Sequence, residues 1–86
     1  MNYYVYILYS NKDQRLYVGC TNNLKQRLLR HNSGHVKATK YRRPLTLIHQ
    51  KEYADKADAF NRERFLKSLW GAREKQRIKQ SYLNSL

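Results

Sequence analysis

"RLYVGCTNNLKQRLLRHN", residues 15–32, changes from a strand pattern to a helical pattern. Alternating side chains in "RLYVGC" predict a β-strand. The leucines that follow repeat at helical spacing, and Thr21 or Asn22 is expected to cap a helix that begins near Asn23. "NSG", residues 32–34, supplies the asparagine and glycine that commonly end a helix. We therefore expect a strand that leads directly into a short helix.

The inward face of this helix carries two side chains that a dry core disfavours. At about 100° per residue, Arg27 and His31 fall on the same stripe as Leu24 and Leu28. Burying an unpaired charge is costly, so Arg27 needs a partner, a solvated cleft or a bound ion.

A second strand is predicted just before this stretch. "YYVYILYS", residues 3–10, is rich in aromatic and β-branched residues, and the polar turn "NKDQ" joins it to "RLYVGC" in an antiparallel hairpin. Tyr6 lies on one face of the first strand, while Tyr17 and Gly19 share a face of the second. If the two faces coincide, two phenols flank a bare glycine, which leaves an opening for a ligand or a backbone.

A cation-rich loop and a third strand follow the first helix. The loop is "HVKATKYRR", residues 35–43, and the strand is "PLTLIHQKEY", residues 44–53. Within the strand, Leu45, Leu47 and His49 are predicted to share one face, because they alternate with the residues between them.

Two helices are predicted for the rest of the chain. Asp55 is expected to cap a helix that runs to about Leu69, and Gly71 separates it from a last, polar helix. With Ala59 as the reference, Glu63 falls in the middle of the apolar face of the first of these helices. One interpretation is that Glu63 and Arg27 form an ordinary buried ion pair and that His31 is a hydrogen-bonded core histidine. The other is that all three belong to a functional site.

The predicted elements give an α+β fold, in which a three-stranded antiparallel sheet is flanked by helices in the order ββαβαα. At 86 residues, the chain fits one domain spanning residues 1–86. Cys20 is the only cysteine, so no internal disulfide and no cysteine zinc site are expected, which fits a reducing, cytoplasmic location. The tyrosine-rich N-terminus is predicted to be a strand rather than a signal peptide or a membrane span.

The charge balance indicates the class of partner. Lysine and arginine number 18 against 6 acidic residues, which gives a net charge of +12. Such a field attracts phosphate polymers, so nucleic acid is the expected partner. A basic protein without a specific partner and binding to an anionic membrane are the alternatives, but no strongly cationic amphipathic helix with a broad apolar face supports a membrane.

Four landmarks in order resemble the GIY-YIG endonuclease superfamily, especially its small stand-alone bacterial members. "YVY", residues 4–6, corresponds to the first half of the family signature, and "YVG", residues 17–19, to the second. Arg27 follows the second tyrosine at the family's spacing, and Glu63 lies where the family places its metal-binding glutamate. The similarity covers roughly residues 3–70.

This resemblance implies an endonuclease that hydrolyses phosphodiester bonds in DNA with Mg²⁺, or Mn²⁺ in its place, as cofactor. It implies that Tyr6 or Tyr17 deprotonates the attacking water and that Arg27 neutralises the phosphate in the transition state. His31 would orient a tyrosine or relay its protons, and Glu63 would hold one divalent cation.

Cations of the loop are candidates for holding the substrate strand, with phosphates on the charges and a base on the tyrosine. These candidates are Lys37, Lys40, Tyr41, Arg42 and Arg43. A solvated loop that serves solubility is the alternative. For the whole protein, the alternatives to an endonuclease are a nucleic-acid-binding protein of the same fold with little or no turnover, and a toxin-like or repair accessory subunit. The form of the DNA and the oligomeric state stay open.

Overall fold

The computed structural model describes all residues from 1 to 86 and has the predicted order ββαβαα. The strands and helices are β1 (Tyr3–Ser10), β2 (Leu16–Thr21), α1 (Leu24–Asn32), β3 (Leu45–Tyr53), α2 (Lys56–Lys67) and α3 (Ala72–Asn84). Short 3-10 turns at Lys40–Arg42 and Leu69–Gly71 precede β3 and α3. The α+β class and the three-stranded sheet are confirmed. None of the helices has the length and apolar character needed to cross a bilayer.

The sheet is antiparallel, and β1 lies in its centre in the order β2-β1-β3. Residues that face each other across a strand pair project to the same side of the sheet. Tyr6 is paired with Gly19 and Leu8 with Tyr17, so the two tyrosines share one face, as the hairpin pattern predicts. The central position explains why β1 is buried from Val5 to its end.

Each face of the sheet carries its own apolar cluster. On one face, α2 contributes Ala59 and Leu66, which pack with residues of β1 and β2. On the face that carries Tyr6, α1 contributes the half-buried Leu24 and Leu28. The helices α1 and α2 therefore lie on opposite faces, with the sheet between them.

A β-bulge interrupts the pairing of β1 with β3. Ile7 is paired with His49, but the next residue, Leu8, is paired with Leu47. Ile48 is an extra residue in β3, so the alternation of side chains between the two faces of the sheet shifts by one at this point. His49 therefore lies on the face opposite Leu47. The prediction that His49 shares a face with the leucines is therefore wrong, because alternation in sequence does not reveal a bulge.

The cap of α1 lies slightly later than the sequence indicates. Asn23 is the N-cap residue, and its side chain accepts a hydrogen bond from the backbone N–H of Gln26 at 3.1 Å. Thr21 instead accepts from the backbone N–H of Asn23, also at 3.1 Å. The predicted caps Thr21 and Asn22 are thus wrong, since three consecutive residues of capping type leave the choice to the backbone.

The cap of α2 is confirmed, whereas its end is two residues earlier than predicted. Asp55 accepts a hydrogen bond from the backbone N–H of Ala57 at 2.7 Å. The helix ends at Lys67, because Ser68 has an extended backbone with ψ 169°. The chain then turns tightly into α3 through Gly71, which is buried.

Candidate active site

The phenol of Tyr6 occupies the space above Gly19 on the sheet. A Cβ atom on residue 19 would lie 2.9 Å from Cε1 of Tyr6 and closer still to Cζ and Oη. Only glycine therefore leaves room for this ring. The predicted opening at Gly19 exists, but the structure fills it with a side chain of the same protein rather than leaving it for a ligand.

Tyr6 is the centre of a buried chain of hydrogen bonds. Its hydroxyl is hydrogen-bonded to Nε2 of His31 at 2.9 Å, and Nε of Arg27 donates to the same oxygen at 3.4 Å. The other ring nitrogen of His31, Nδ1, is hydrogen-bonded to Oγ1 of Thr39 at 2.8 Å. Tyr6, His31 and Thr39 are all 0% exposed. The chain holds the ring of His31 in a fixed orientation.

The environment keeps His31 neutral. Burial lowers the pKa of His31 to about 4, and the nearby charges of Arg27 and Arg30 act in the same direction. A neutral imidazole donates from one nitrogen and accepts at the other. With its proton on Nδ1, His31 donates to Thr39 and accepts from the Tyr6 hydroxyl; with its proton on Nε2, it donates to Tyr6. This ring is therefore able to stabilise either form of the phenol.

The environment also holds Tyr6 protonated. Burial raises the pKa of Tyr6, the hydrogen bond from Arg27 lowers it, and the negative charges of ionised Tyr17 and of Glu63 raise it. The hydrogen bond to Tyr6 is in turn the main reason why the pKa of Arg27 is raised, with a smaller contribution from Tyr17. Arg27 is thus a permanent cation that lies beside both phenols.

Tyr17 is the more accessible of the two tyrosines. Its ring lies parallel to that of Tyr6, with 6.4 Å between the ring centroids, and meets the ring of His31 edge-on at 5.0 Å. Unlike the fully buried Tyr6, it is only half-buried. Tyr17 is therefore the phenol that water or a substrate can reach.

Glu63 comes to this site from the opposite side of the sheet. It lies on α2, and its Oε2 forms an ion pair with Nζ of Lys67 at 3.0 Å. Nζ of Lys67 lies 6.0 Å from the ring centroid of Tyr17, so this pair reaches around the edge strand β2.

The interpretation that Arg27 and Glu63 form a buried ion pair is wrong. Arg27 donates to Tyr6, and Glu63 is paired with Lys67. The view of His31 as a hydrogen-bonded core histidine describes its burial, but one of its two partners is a tyrosine of the site. The cluster thus joins residues from both faces of the sheet at the β2 edge.

Glu63 is the one carboxylate that could serve as a metal ligand here. No group of three or more histidine, cysteine, aspartate or glutamate side chains is arranged to hold a metal ion. The side chain of Glu63 is 21% exposed, and only one of its oxygens is in the ion pair. A single carboxylate fits Mg²⁺, which keeps several of its waters and takes phosphate oxygens as ligands, but does not fit a structural zinc ion.

The loop candidates are placed in different ways. Lys37, Lys40, Tyr41 and Arg43 are exposed. Arg42 instead stabilises the fold, because its Nε donates a hydrogen bond to Asp13 at 2.9 Å and its Nη2 donates one to the backbone carbonyl of Leu16 at 3.3 Å.

Sequence reasoning missed three residues of this region. Lys12, from the hairpin turn, lines a shallow pocket together with Lys40, Tyr41 and Arg43, and no local pattern marks it. No sequence pattern marks Thr39 either, since its hydrogen bond to His31 depends on how the loop folds over that ring. The sequence does indicate Lys67, because it follows Glu63 by four residues, which is the spacing of a helical ion pair.

The fold and the cluster of two tyrosines, an arginine and a histidine define a small domain of nuclease type. A family model described as the GIY-YIG catalytic domain matches residues 2–81, and the chain belongs to this family. The resemblance seen in the sequence is thereby confirmed.

Relatives in bacteria and archaea have similar lengths. A UPF0213 protein of Staphylococcus haemolyticus is 41% identical over 68 residues, which cover 78% of this chain and 82% of that protein. A UPF0213 protein of Natronomonas pharaonis is 36% identical over 78 residues, covering 90% and 91%. The solution NMR structure of a UPF0213 protein from Bacillus halodurans matches with a TM-score of 0.58 and 33% identity, over 93% of this chain and 85% of that one.

Proposed function

We propose that this protein is an endonuclease that hydrolyses phosphodiester bonds in DNA with the help of a divalent cation. The observation that carries the proposal is the hydrogen bond from Arg27 to Tyr6, which holds a guanidinium beside two phenols at the β2 edge. Family membership makes nucleic acid the expected substrate class. The proposal treats residues 1–86 as one domain, since both apolar clusters share β1. A cytoplasmic location is part of the proposal, and the single free cysteine, Cys20, is compatible with a reducing compartment.

Tyr17 is the proposed general base. A free phenol titrates near pH ~10, so a tyrosine base needs a cation beside it at neutral pH. Arg27 is a cation beside both phenols, and Tyr17 is the accessible phenol of the pair. Tyr6 is buried and its oxygen is already engaged by Arg27 and His31, so its proposed role is to position these two side chains.

Arg27 is the proposed counter-charge for the phosphate. Its Nε donates the hydrogen bond to Tyr6, and interaction with Tyr17 also raises its pKa. A guanidinium held in place by a phenol is suited to bind phosphate oxygens through its remaining N–H groups. Charge that develops on these oxygens in the transition state then meets a cation that is already in place.

Glu63 is the proposed ligand of Mg²⁺, with Mn²⁺ as a substitute. When bound, such a cation supplies positive charge for the departing 3′ oxygen. The Glu63 carboxylate binds it in competition with Lys67, so we expect weak binding before the substrate adds phosphate ligands.

The proposed nucleic-acid surface combines exposed residues of the loop with Lys12 of the hairpin turn. We call Lys12, Lys37, Lys40, Tyr41 and Arg43 the basic surface. All five are exposed, and Nζ of Lys40 lies 5.5 Å from the ring centroid of Tyr41. Arg42 is left out, because its guanidinium holds the hairpin turn through Asp13.

The test is a cleavage assay with matched arginine variants. Single-stranded, duplex and branched oligonucleotides are incubated with Mg²⁺ or Mn²⁺ and with wild type, Arg27→Ala or Arg30→Ala. Arg30 lies on the same helix but is exposed, so it controls for loss of charge. We expect wild type and Arg30→Ala to cut, and Arg27→Ala to be slower by about 100-fold or more. Binding without cutting by wild type would favour the non-catalytic alternative, and equal cutting by Arg27→Ala would indicate a contaminating nuclease.

A further inference from the structure

The turn between α2 and α3 presents two large apolar side chains to solvent. Leu69 is 93% exposed and Trp70 is 85% exposed. Trp70 is the only tryptophan of the chain, and the proposed mechanism uses neither residue. Adjacent exposed side chains of this size are uncommon on a protein surface without a binding role.

The turn is held in a way that keeps both side chains outside. Gly71 is buried, and a Cβ atom at this position would lie 2.7 Å from Cα of Leu66. An ion pair between Arg62 and Glu74 joins α2 to α3 beyond the turn. Because the backbone is closed against α2 at Gly71, the two preceding side chains form the tip of the turn.

Trp70 is connected to the candidate active site along the chain through Lys67. It follows Lys67 by three residues, so the two Cα atoms are at most about 11 Å apart. Lys67 is paired with Glu63, and its Nζ lies 6.0 Å from the ring centroid of Tyr17. A nucleic-acid strand that extends from Arg27 past Lys67 would then reach the turn that carries Trp70.

The charges around the turn favour a polyanion as the occupant. Arg64 and Arg73 are exposed and belong to no ion pair, whereas the acidic side chains nearest in sequence, Glu63 and Glu74, are each engaged in one. A second copy of a chain with net charge +12 would be repelled. An exposed aromatic ring among cations is the arrangement that binds single strands, with bases on the ring and phosphates on the charges.

We propose that Trp70 stacks on an unpaired nucleobase of the substrate strand near the scissile phosphate. Leu69 extends the apolar platform, and the surrounding cations contact the adjoining phosphates. A base inside a duplex has both faces covered, so this contact selects nucleic acid with at least one unpaired base beside the cleavage point. The inference rests on the proposed function for its ligand class, but it concerns binding rather than hydrolysis.

The experiment uses the fluorescence of Trp70, which reports from this position alone. Wild-type protein without divalent cation is titrated with oligothymidylate and with an abasic oligonucleotide of the same length and charge. We expect the bases to quench the emission and the abasic strand to leave most of it. In parallel, the anisotropy of a labelled oligothymidylate measures binding to Trp70→Leu and Trp70→Phe. We expect about tenfold weaker binding for the leucine variant and a near-normal value for the phenylalanine variant, which keeps a ring.

Each outcome decides the question. Circular dichroism should show that both variants fold, because Trp70 packs little against its own chain. Equal binding by wild type and Trp70→Leu, with unchanged emission, would overturn the stacking proposal and leave the proposed function intact. A wild-type dimer that Trp70→Leu converts to a monomer would assign the turn to self-association and also overturn it. Quenching in this titration, together with no cleavage when Mg²⁺ or Mn²⁺ is then added, would support stacking and count against hydrolysis. No binding to any oligonucleotide would overturn both.

Discussion

The ring of Tyr6 lies directly over Gly19, its partner on the neighbouring strand, and this contact determines where the phenol hydroxyl ends. The hydroxyl reaches His31 and Arg27, which both come from α1. A small residue on one strand thus sets the position of three polar side chains on two other elements. Several consequences are open to measurement.

Gly19→Ala should displace the phenol and destabilise the fold. The added methyl group would meet the ring of Tyr6 in a fully buried position, and such overpacking costs about 1–3 kcal/mol of unfolding free energy. Urea denaturation measures the loss. In a Tyr6→Leu background the same substitution should cost less, because the ring is gone. An equal cost in both backgrounds would contradict the contact.

Tyr17→Phe and Tyr6→Phe should separate catalysis from positioning. If Tyr17 is the base, its phenylalanine variant should lose about 100-fold or more in kcat at unchanged stability. Tyr6→Phe leaves the buried Nε2 of His31 without its partner, so about 1–3 kcal/mol of stability should be lost. Cleavage assays and urea denaturation of both variants test this. A larger rate loss in Tyr6→Phe than in Tyr17→Phe would reverse the assignment.

Glu63→Gln should weaken metal binding, and Lys67→Met should strengthen it. The glutamine removes the carboxylate, whereas the methionine removes the ammonium group that competes for it. Calorimetry with Mn²⁺ in the absence of DNA measures both effects. Asp58→Asn is the matched control, since Asp58 is an exposed acid on the same helix. Unchanged Mn²⁺ affinity in Glu63→Gln would exclude this carboxylate as the ligand.

Acid should destabilise the protein through His31. The unfolded chain binds a proton near the ordinary pKa of 6.5, but in the folded protein the pKa of His31 is about 4. Stability is therefore full above pH 6.5 and falls as the pH drops towards 4, by about 3 kcal/mol. Urea denaturation between pH 7 and 4 should show a flatter profile for His31→Gln.

His49→Gln is the control for the acid profile. Burial lowers the pKa of His49 as well, with the charges of Arg62 and Lys51 acting in the same direction. His49 is only half-buried, so its removal should change the profile less than the removal of His31. The same slope in wild type and His31→Gln would contradict the role assigned to His31.

Removing cations of the basic surface should flatten the salt dependence of DNA binding. If Lys40 and Arg43 each contact a phosphate, alanine at both should reduce the slope of log K against log salt by about 1.4–1.8. Arg42→Ala should instead lower stability, because Arg42 holds Asp13 and the carbonyl of Leu16. An unchanged slope in the double variant would assign the loop to solubility.

The order of the strands and helices could be predicted from the sequence, because each of them is indicated by a pattern within its own residues. Leucine spacing marks α1, alternation and aromatic content mark β1, and Asp55 is a capping residue before a helix. Local patterns gave a wrong prediction where several neighbouring residues could all cap the same helix. The cap of α1 is Asn23, although two residues of the same capping type precede it.

The membership of the candidate site was also readable, because polar residues on apolar faces stand out. Tyr6, Tyr17, Arg27 and His31 do lie together, and Glu63 on α2 is linked to Tyr17 through Lys67. The sequence did not show which of these side chains bond to one another. Whether Arg27 meets Glu63 or Tyr6 depends on which face of the sheet each helix covers, and the periodicity of one helix contains no information about another.

The order ββαβαα, the family signature and the basic charge follow from the amino-acid sequence alone, since they depend on local patterns, motif spacing and composition. The packing of the sheet and helices, in contrast, determines that the ring of Tyr6 is buried over Gly19 and that Tyr17 stays accessible. It also decided that Lys67 rather than Arg27 neutralises Glu63. The physical reason is that burial and ion pairing depend on distances between segments far apart along the chain, which packing on the two faces of the sheet sets.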